Sequence, residues 1–422
     1  MSQEQIATLE AHACDAPSAS RPGGHRTRKL ALLVAAIVFS LAAFLFLDWL
    51  RTAAVRRKLQ AARSDSCRVA DRVRHHALRP DCISTEHWGK DSYELVTNSL
   101  GFRDERIRQV PLTDPRPRIL LLGDSFTEGM IAWRDSYAGR LAAHFPQYDF
   151  LNGGVSSYSP SNYLNVTRML LAAGVQVDEV IVFIDISDVH DEAAFYRDAD
   201  RSGAVTRPKQ ELFTSSWYGR MRSRIAKYFL LTDGVFEFGE RILVGRGYYH
   251  FPRDYGDMFD TDRLAWTYRT VDQSDPYPAG FAPLGLEGGI TKAKAKMDLL
   301  WQELARRNIR LSIVVYPYPA QIAHDTADSS QVRIWREWCQ GKCKRFISVF
   351  PPFFAAKEQC LKSRPGCWYL NYFIFGDSHY NAAGNALVAD AVIASLTQEP
   401  PARRSGKPPQ DEAALSSPVL RQ

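Results

Sequence analysis

The stretch RILLLGDSFTEG, Arg118 to Gly129, runs from four aliphatic residues straight into Gly-Asp-Ser. A short, uninterrupted apolar run of this kind reads as a strand buried on both faces. A chain leaving such a strand for a tight turn presents its next side chains at the carboxyl end of a sheet, where open α/β folds bind ligands. Gly123 permits the sharp bend. Ser125 is then either a nucleophile, with its own N–H directed into the same space, or a residue that caps a helix. The turn by itself leaves both readings open.

The surrounding sequence alternates strand and helix patterns. YDFLNGGV, from Tyr148, is a short strand entering a glycine turn, and DEVIVFIDI, from Asp178, is a buried strand. SPSNYLNVTRMLLAAG opens with cap residues and Pro160, keeps a helical period and stops at Gly174. Further on, the amphipathic TKAKAKMDLLWQELARRN precedes the strand IRLSIVVYP, a helix is expected near 330–338, RFISVF reads as a strand, and a last helix is expected from about Asn381 to Leu396. Repeated β-α-β order predicts a three-layer α/β/α fold with a parallel, flavodoxin-like sheet. Residues 190–289 lack this rhythm and are rich in Tyr, Phe and Trp. They read as an insertion at the carboxyl end of the third strand, whose aromatics either stack on sugar rings, hold an acyl chain or form a small core.

Outside the domain, 30–47 reads LALLVAAIVFSLAAFLFL, uncharged and polar only at Ser40. About 18 such residues suit a membrane span, and they exceed the apolar core of a cleaved signal peptide. The expected organisation is a disordered cytoplasmic tail over 1–29, a transmembrane anchor over 30–50, a basic, helical juxtamembrane segment within 51–92, the α/β domain over 93–396 and a disordered Pro-rich tail over 397–422. Basic residues flank the span on both sides (Arg21, Arg26, Arg28 and Lys29 before; Arg51, Arg56, Arg57, Lys58 and Arg63 after), so charge alone does not orient it. Cysteines do better. One, Cys14, precedes the span and six follow it, an even number compatible with disulfides in an oxidising compartment, such as Cys67–Cys82, Cys339–Cys343 and Cys360–Cys367. The domain is therefore expected on the periplasmic or extracellular side of the cytoplasmic membrane. A net charge of +6, spread without a basic tract, argues against a nucleic-acid partner.

Three more stretches carry polar groups suited to chemistry. A serine hydroxyl needs a base, and the base an orienting acid. In FGDSHYNAAGN, from Phe375, Asp377 and His379 are two apart just before a helix, so a carboxylate can reach the imidazole Nδ1 and leave Nε2 for Ser125. In LNGGVSSYSP, from Leu151, a glycine N–H at Gly153 or Gly154 can approach a developing oxyanion with no Cβ in the way. FIDISDVHDE, from Phe183, adds polar groups at the same end of the sheet.

Taken in order, these blocks resemble the SGNH (GDSL-like) hydrolase superfamily, in its membrane-anchored bacterial form. GDS is similar to block I, which implies Ser125 as nucleophile. NGG is similar to block II, which implies Gly154 as an oxyanion donor beside the Ser125 N–H. DSH with NAAGN resembles block V, which implies Asp377 and His379 as the rest of the triad. TNSLGFRD, from Thr97, is similar to the segment upstream of block I in the anchored members. The resemblance covers about 300 residues, from near Tyr93 to Leu396. Two departures stand out. Block III supplies an asparagine before an aspartate, and here Ser187 precedes Asp188, so a shorter hydroxyl donor is implied. Members commonly keep three residues from Asp to His, and this chain keeps two. The resemblance implies a serine esterase or O-acyltransferase, with no cofactor or metal, acting on acylated carbohydrate or another ester, in company with envelope polysaccharide machinery.

Two other readings remain at this level. The same fold without turnover would be a glycan-binding or assembly protein. Alternatively, Asp185, Asp188, His190, Asp191 and Glu192 at a strand end would hold Mg²⁺ for phosphoryl or metal chemistry, although the chain has no phosphate-cradling glycine loop and Ser187 interrupts an Asp-x-Asp pair.

Overall fold

The computed structural model describes residues 23–61, 66–88, 91–198, 205–206, 217–247, 266–268, 281–362 and 364–398. Of the tails expected over 1–29 and 397–422, residues 1–22 and 399–422 lie outside the described residues, as does much of the aromatic insertion, while 23–29 and 397–398 belong to helices. Strands are numbered in chain order: β1 Arg68–Asp71, β2 His75–Leu78, β3 Ile83–Trp88, β4 Asp91–Thr97, β5 Arg103–Asp104, β6 Arg118–Leu122, β7 Asp149–Asn152, β8 Glu179–Ile184, β9 Arg197–Asp198, β10 Val205–Thr206, β11 Arg310–Val315 and β12 Arg345–Ser348.

The central sheet runs β12-β11-β8-β6-β7-β5-β4-β3. Its core, β6, β7, β8, β11 and β12, is parallel throughout. Counted from the first of these, the order is 2-1-3-4-5, the flavodoxin-like arrangement, and the switch point lies where β6 meets β7 on one side and β8 on the other. Register is tight: Leu120 lies opposite both Leu151 and Val180, and on the far side of β8 Ile181 lies opposite Ser312 and Val182 opposite Ile313.

Every residue of β6 is buried, and its side chains alternate between two cores. Ile119 and Leu121 face one core with the helices Tyr137–His144 and Ala382–Gln398. Leu120 and Leu122 face the other with Pro160–Ala172, Gly285–Ala305 and Ser330–Cys339. That division between two helix layers is the three-layer α/β/α architecture. At the start of β6, Arg118 is buried with Asp149 from β7, Nε to Oδ2 at 2.7 Å. It also donates to the carbonyls of Leu112 and Gln176.

The parallel, flavodoxin-like core is as expected, and three further strands, β3, β4 and β5, extend the sheet antiparallel at one edge. For the same reason the juxtamembrane segment does not extend to 92: the sheet begins at Ile83. The physical cause is the period-two alternation within 83–88 and 92–95, which buries Ser84, Tyr93 and Leu95 while exposing Ile83, Thr85, Ser92 and Glu94. The disulfide Cys67–Cys82 ties the β1–β2 hairpin to this edge, and Cys339–Cys343 and Cys360–Cys367 are also bonded. Within the insertion, two helices, Trp217–Tyr228 and Leu230–Gly245, are described, and the following helix opens at Gly285, before the expected Thr291.

At the N-terminus one helix, Gly23–Ala61, spans 39 residues, and its part Thr27–Lys58 is long and apolar enough to cross a membrane. Its apolar side chains stand clear of the rest of the chain, Leu32 at 70 % and Phe39 at 75 % exposure.

Removing one member of a buried ion pair leaves the other charge uncompensated. Asp149→Ala is therefore expected to lower the unfolding free energy by about 3–5 kcal/mol, read as a shift of the urea midpoint; an unchanged midpoint would show that Arg118 is satisfied by its carbonyl partners alone.

Candidate active site

The turn after β6 gives the first group. Gly123 has no room for a side chain: a Cβ there would stand 1.9 Å from the Thr127 hydroxyl. Asp124 then caps the short helix Ser125–Glu128, accepting from the Phe126 N–H at 2.9 Å. The capping role considered for Ser125 thus belongs to its neighbour, and the Ser125 hydroxyl is left for another partner. That partner is His379, whose Nε2 lies 2.7 Å from Ser125 Oγ across 254 residues of chain.

The turn before the helix Ala382–Gln398 gives the second group. His379 Nδ1 lies 2.5 Å from Asp377 Oδ1, and the same oxygen accepts the His379 N–H at 2.8 Å. The i, i+2 spacing closes this ring without help. Tyr369 holds the turn from below, its hydroxyl accepting from the N–H groups of Gly376 and Asp377. Burial alone would push the Asp377 carboxyl up, but the His379 ring, its hydrogen bond and the His379 N–H outweigh that and hold it below the ordinary value. Phe126 stacks on the imidazole with centroids 4.5 Å apart. Ser125 and His379 retain 8 % and 9 % exposure, so the relay is almost closed to solvent.

The glycine loop after β7 gives the third group. A Cβ on Gly154 would fall 2.6 Å from the Thr127 Cβ, so glycine alone lets this loop approach the Ser125 turn. Asn152 bridges the two, donating to the Thr127 carbonyl at 2.8 Å and accepting the Gly154 N–H at 3.1 Å. The Ser125 N–H, at the first turn of its helix, has no hydrogen-bond partner among the described residues.

Ser187 stands differently from its expected role. Its hydroxyl donates to Asp185 at 2.7 Å, and its N–H bonds the same oxygen at 2.7 Å. A hydroxyl has one proton to give, so in this arrangement the side chain orders the start of its own short helix and is not presented as a donor. The acids around it are also engaged. Asp188 accepts from the Tyr163 hydroxyl and the Asp185 N–H. Glu192 accepts from Ser159, Ser161 and Lys292. Among the described residues no three His, Cys, Asp or Glu side chains come together as a metal site. Burial, then the Asp185 charge, pushes the Asp124 and Asp188 carboxyls well above their ordinary range.

Three contributors were not found by reading the sequence. Trp88, at the end of β3, meets the His379 ring edge-on at 4.8 Å. Its indole N–H approaches Asp377 and lowers its carboxyl without reaching hydrogen-bond geometry. Arg103, in TNSLGFRD, is buried and donates to the Glu128 and Ile131 carbonyls that follow the Ser125 turn. Burial drops its guanidinium to about 10. Glu128 accepts from Arg68 and from the Ser156 N–H, joining β1 to both loops. Only the β3–β4 alternation could have signalled Trp88; no local pattern signals the other two.

No described protein family and no curated protein matches the chain. Among solved structures it is similar to an acetylxylan esterase from Geobacillus stearothermophilus, at 13 % identity over 66 % of this chain and 94 % of that one, TM-score 0.33. It is similar to LAE5, an alpha/beta hydrolase enzyme from the metagenome of Lake Arreo, at 13 % identity over 68 % and 97 %, TM-score 0.33. It is also similar to a GDSL-like lipase from Bacteroides thetaiotaomicron, at 9 % identity over 67 % and 88 %, TM-score 0.32. None of these values carries an activity across.

A carboxyl held below its ordinary value of about 3.9 stabilises the fold above that pH, and the contribution is lost as pH falls through the lower folded value. Asp377→Asn is expected to weaken the wild-type loss of stability below about pH 4 while leaving the slope above pH 5 unchanged; urea midpoints across that range check it, and identical acid limbs would show that the Asp377–His379 link is not formed in solution.

Proposed function

We propose that this chain is a membrane-anchored, SGNH-type serine esterase or O-acyltransferase that acts on acyl esters, with acetyl esters of envelope glycans as the substrate class. One observation carries the reading: hydroxyl, imidazole and carboxylate stand in series, Ser125 to His379 at 2.7 Å and His379 to Asp377 at 2.5 Å, at the carboxyl end of β6.

His379 Nε2 takes the Ser125 proton as Oγ attacks the ester carbonyl. Asp377 fixes the tautomer with Nδ1–H and stabilises the imidazolium. The carbonyl oxygen becomes an oxyanion, for which the Ser125 N–H is the ready donor and the Gly154 N–H a second once it leaves Asn152. Collapse breaks the ester C–O bond, and the leaving alcohol departs with the proton from His379. The acyl group then rests on Ser125. Water as acceptor gives hydrolysis and a sugar hydroxyl gives transfer, each regenerating Ser125 by the same proton path. The anchor over 30–50 and three disulfides outside it support a domain beyond the cytoplasmic membrane, in an oxidising space.

A second reading, a glycan-binding protein on the same fold, is favoured by one observation. Of the three expected oxyanion donors, Ser187 gives its proton to Asp185 and Gly154 gives its N–H to Asn152. Loss of a single donor costs on the order of 10²–10³ in rate. Labelling of Ser125 by a fluorophosphonate favours catalysis, and glycan binding with no labelling favours the second reading.

The full chain in detergent is expected to hydrolyse a chromogenic acetyl ester. Ser125→Ala should abolish turnover, and Asp377→Asn should lower kcat by about 10⁴. Equal turnover by Ser125→Ala and wild type would refute the nucleophile.

A further inference from the structure

The helix Leu230–Gly245 is built inside out. Its inward face, at spacings of four, three and four, is Asp233, Glu237, Glu240 and Val244, each at most 9 % exposed. Its outward face, at the same spacings, is Leu231, Val235, Phe238 and Ile242, exposed by 42, 69, 68 and 38 %. A surface helix in water places these residue types the other way round. The buried acids are held rather than stranded: Arg222, from the helix Trp217–Tyr228, reaches Asp233 at 2.7 Å and Glu240 at 2.9 Å, and Arg241 reaches Glu237 at 2.8 Å. The apolar stripe is therefore a stable outer surface, and not the result of a misplaced turn.

An independent contact fixes where that surface sits. Asp48 is the first residue after the apolar run 30–47. Its carboxylate is fully buried and accepts from the Leu231 N–H, the Thr232 N–H and the Thr232 hydroxyl, at 2.9, 2.8 and 2.8 Å. Thr52 accepts the Leu230 N–H at 2.9 Å. The anchor helix thus caps the inside-out helix just where its own apolar stretch ends, which brings Leu231, the first residue of the exposed stripe, to that boundary. Both helices near this junction carry exposed basic side chains, Arg51, Arg57 and Lys58 on the anchor helix and Arg224 and Lys227 on Trp217–Tyr228, whose Ala226 carbonyl accepts from Arg56 at 3.0 Å. They suit anionic headgroups.

From these contacts we infer that the helix Leu230–Gly245 lies in the lipid–water interface of the anchor's own bilayer, with Leu231, Val235, Phe238 and Ile242 among the acyl chains. The inference rests on the anchor reading of 30–50 and adds a second, independent contact with lipid. It bears on the site as well. The Arg241 guanidinium sits over the Phe375 ring at 4.2 Å, and the Gly366 N–H donates to the Gly245 carbonyl at 3.3 Å. The loop that carries Asp377 is thereby packed on the lipid-facing helix, which sets the height of the relay above the membrane and favours ester substrates held at the bilayer surface.

The test uses the full chain in vesicles of phosphatidylcholine and phosphatidylglycerol, with Cys14→Ser as background. Spin labels are placed at Phe238→Cys or Val235→Cys, and at Val73→Cys as a water-facing control. Both helix labels are expected to be several-fold more accessible to oxygen, and several-fold less accessible to a water-soluble nickel chelate, than the control. Labels as open to nickel as Val73→Cys, in protein that resists alkaline extraction, would overturn the inference and leave the anchor standing. Release of the protein by alkali would instead remove the anchor reading. Labels shielded from both reagents and broadened by a second label would show that another copy covers the stripe, which also overturns it. A cooperative melt matching that of wild type, required of each variant, excludes misfolding as the cause.

Discussion

One side chain, Thr127, occupies the space that two missing Cβ atoms leave. Gly123 and Gly154 both border it, at 1.9 Å and 2.6 Å from where their side chains would begin. Its hydroxyl accepts from Tyr137 at 2.6 Å and its carbonyl from Asn152 at 2.8 Å. This contact draws the turn after β6 against the loop after β7, and so puts the Ser125 hydroxyl and the glycine N–H groups around one point in space. The sheet order makes the contact available, since β7 and β8 leave β6 in opposite directions at the switch point. The relay to His379 and Asp377 is then completed from the far end of the chain, on a floor of Phe126, Tyr380, Phe353 and Tyr369 rings.

Charge is handled differently on the two sides of the Ser125 hydroxyl. Asp377 keeps its charge because the imidazole and an N–H stand against it. Asp124, beside the Ser125 hydroxyl at 3.3 Å, is pushed towards its neutral form by burial and by Asp185. A charged Asp124 would compete with the imidazole for the hydroxyl proton, and the push towards its neutral form lessens that competition.

Much of this was legible because it is local. The apolar run 119–122, the glycine turn and the two-residue spacing of Asp377 and His379 are short-range features whose geometry follows from bond lengths and strand pleat. The three cysteine pairs lie 15, 4 and 7 residues apart, within reach of local pairing. What escaped is long-range. Trp88 reaches His379 only because β3 joins the sheet edge, and Arg68 reaches Glu128 across 60 residues. The antiparallel edge was missed because half-polar alternation in ISTEHW and DSYELVT is a weaker signal than the continuous apolar runs of the core. Ser187 was assigned by its position beside Asp188, yet its proton goes to Asp185, two residues back, a competition that spacing does not reveal. The polar inner face of 230–245 reads as an ordinary solvent face until its partners are known.

The structure joins three layers of constraint: a glycine-lined turn that exposes a hydroxyl, a distant turn that brings an imidazole to it, and an inserted helix that links the second turn to the N-terminal helix. The most direct measurement of the central claim is to trap the acyl group itself. The full chain is mixed briefly with an activated acetyl ester, quenched in acid, digested and mapped by mass spectrometry. The account predicts a single acetyl group on Ser125 that accumulates early and disappears with time, and whose formation is lost in His379→Ala. Acetyl groups scattered over lysines, with Ser125 unmodified throughout turnover, would contradict it.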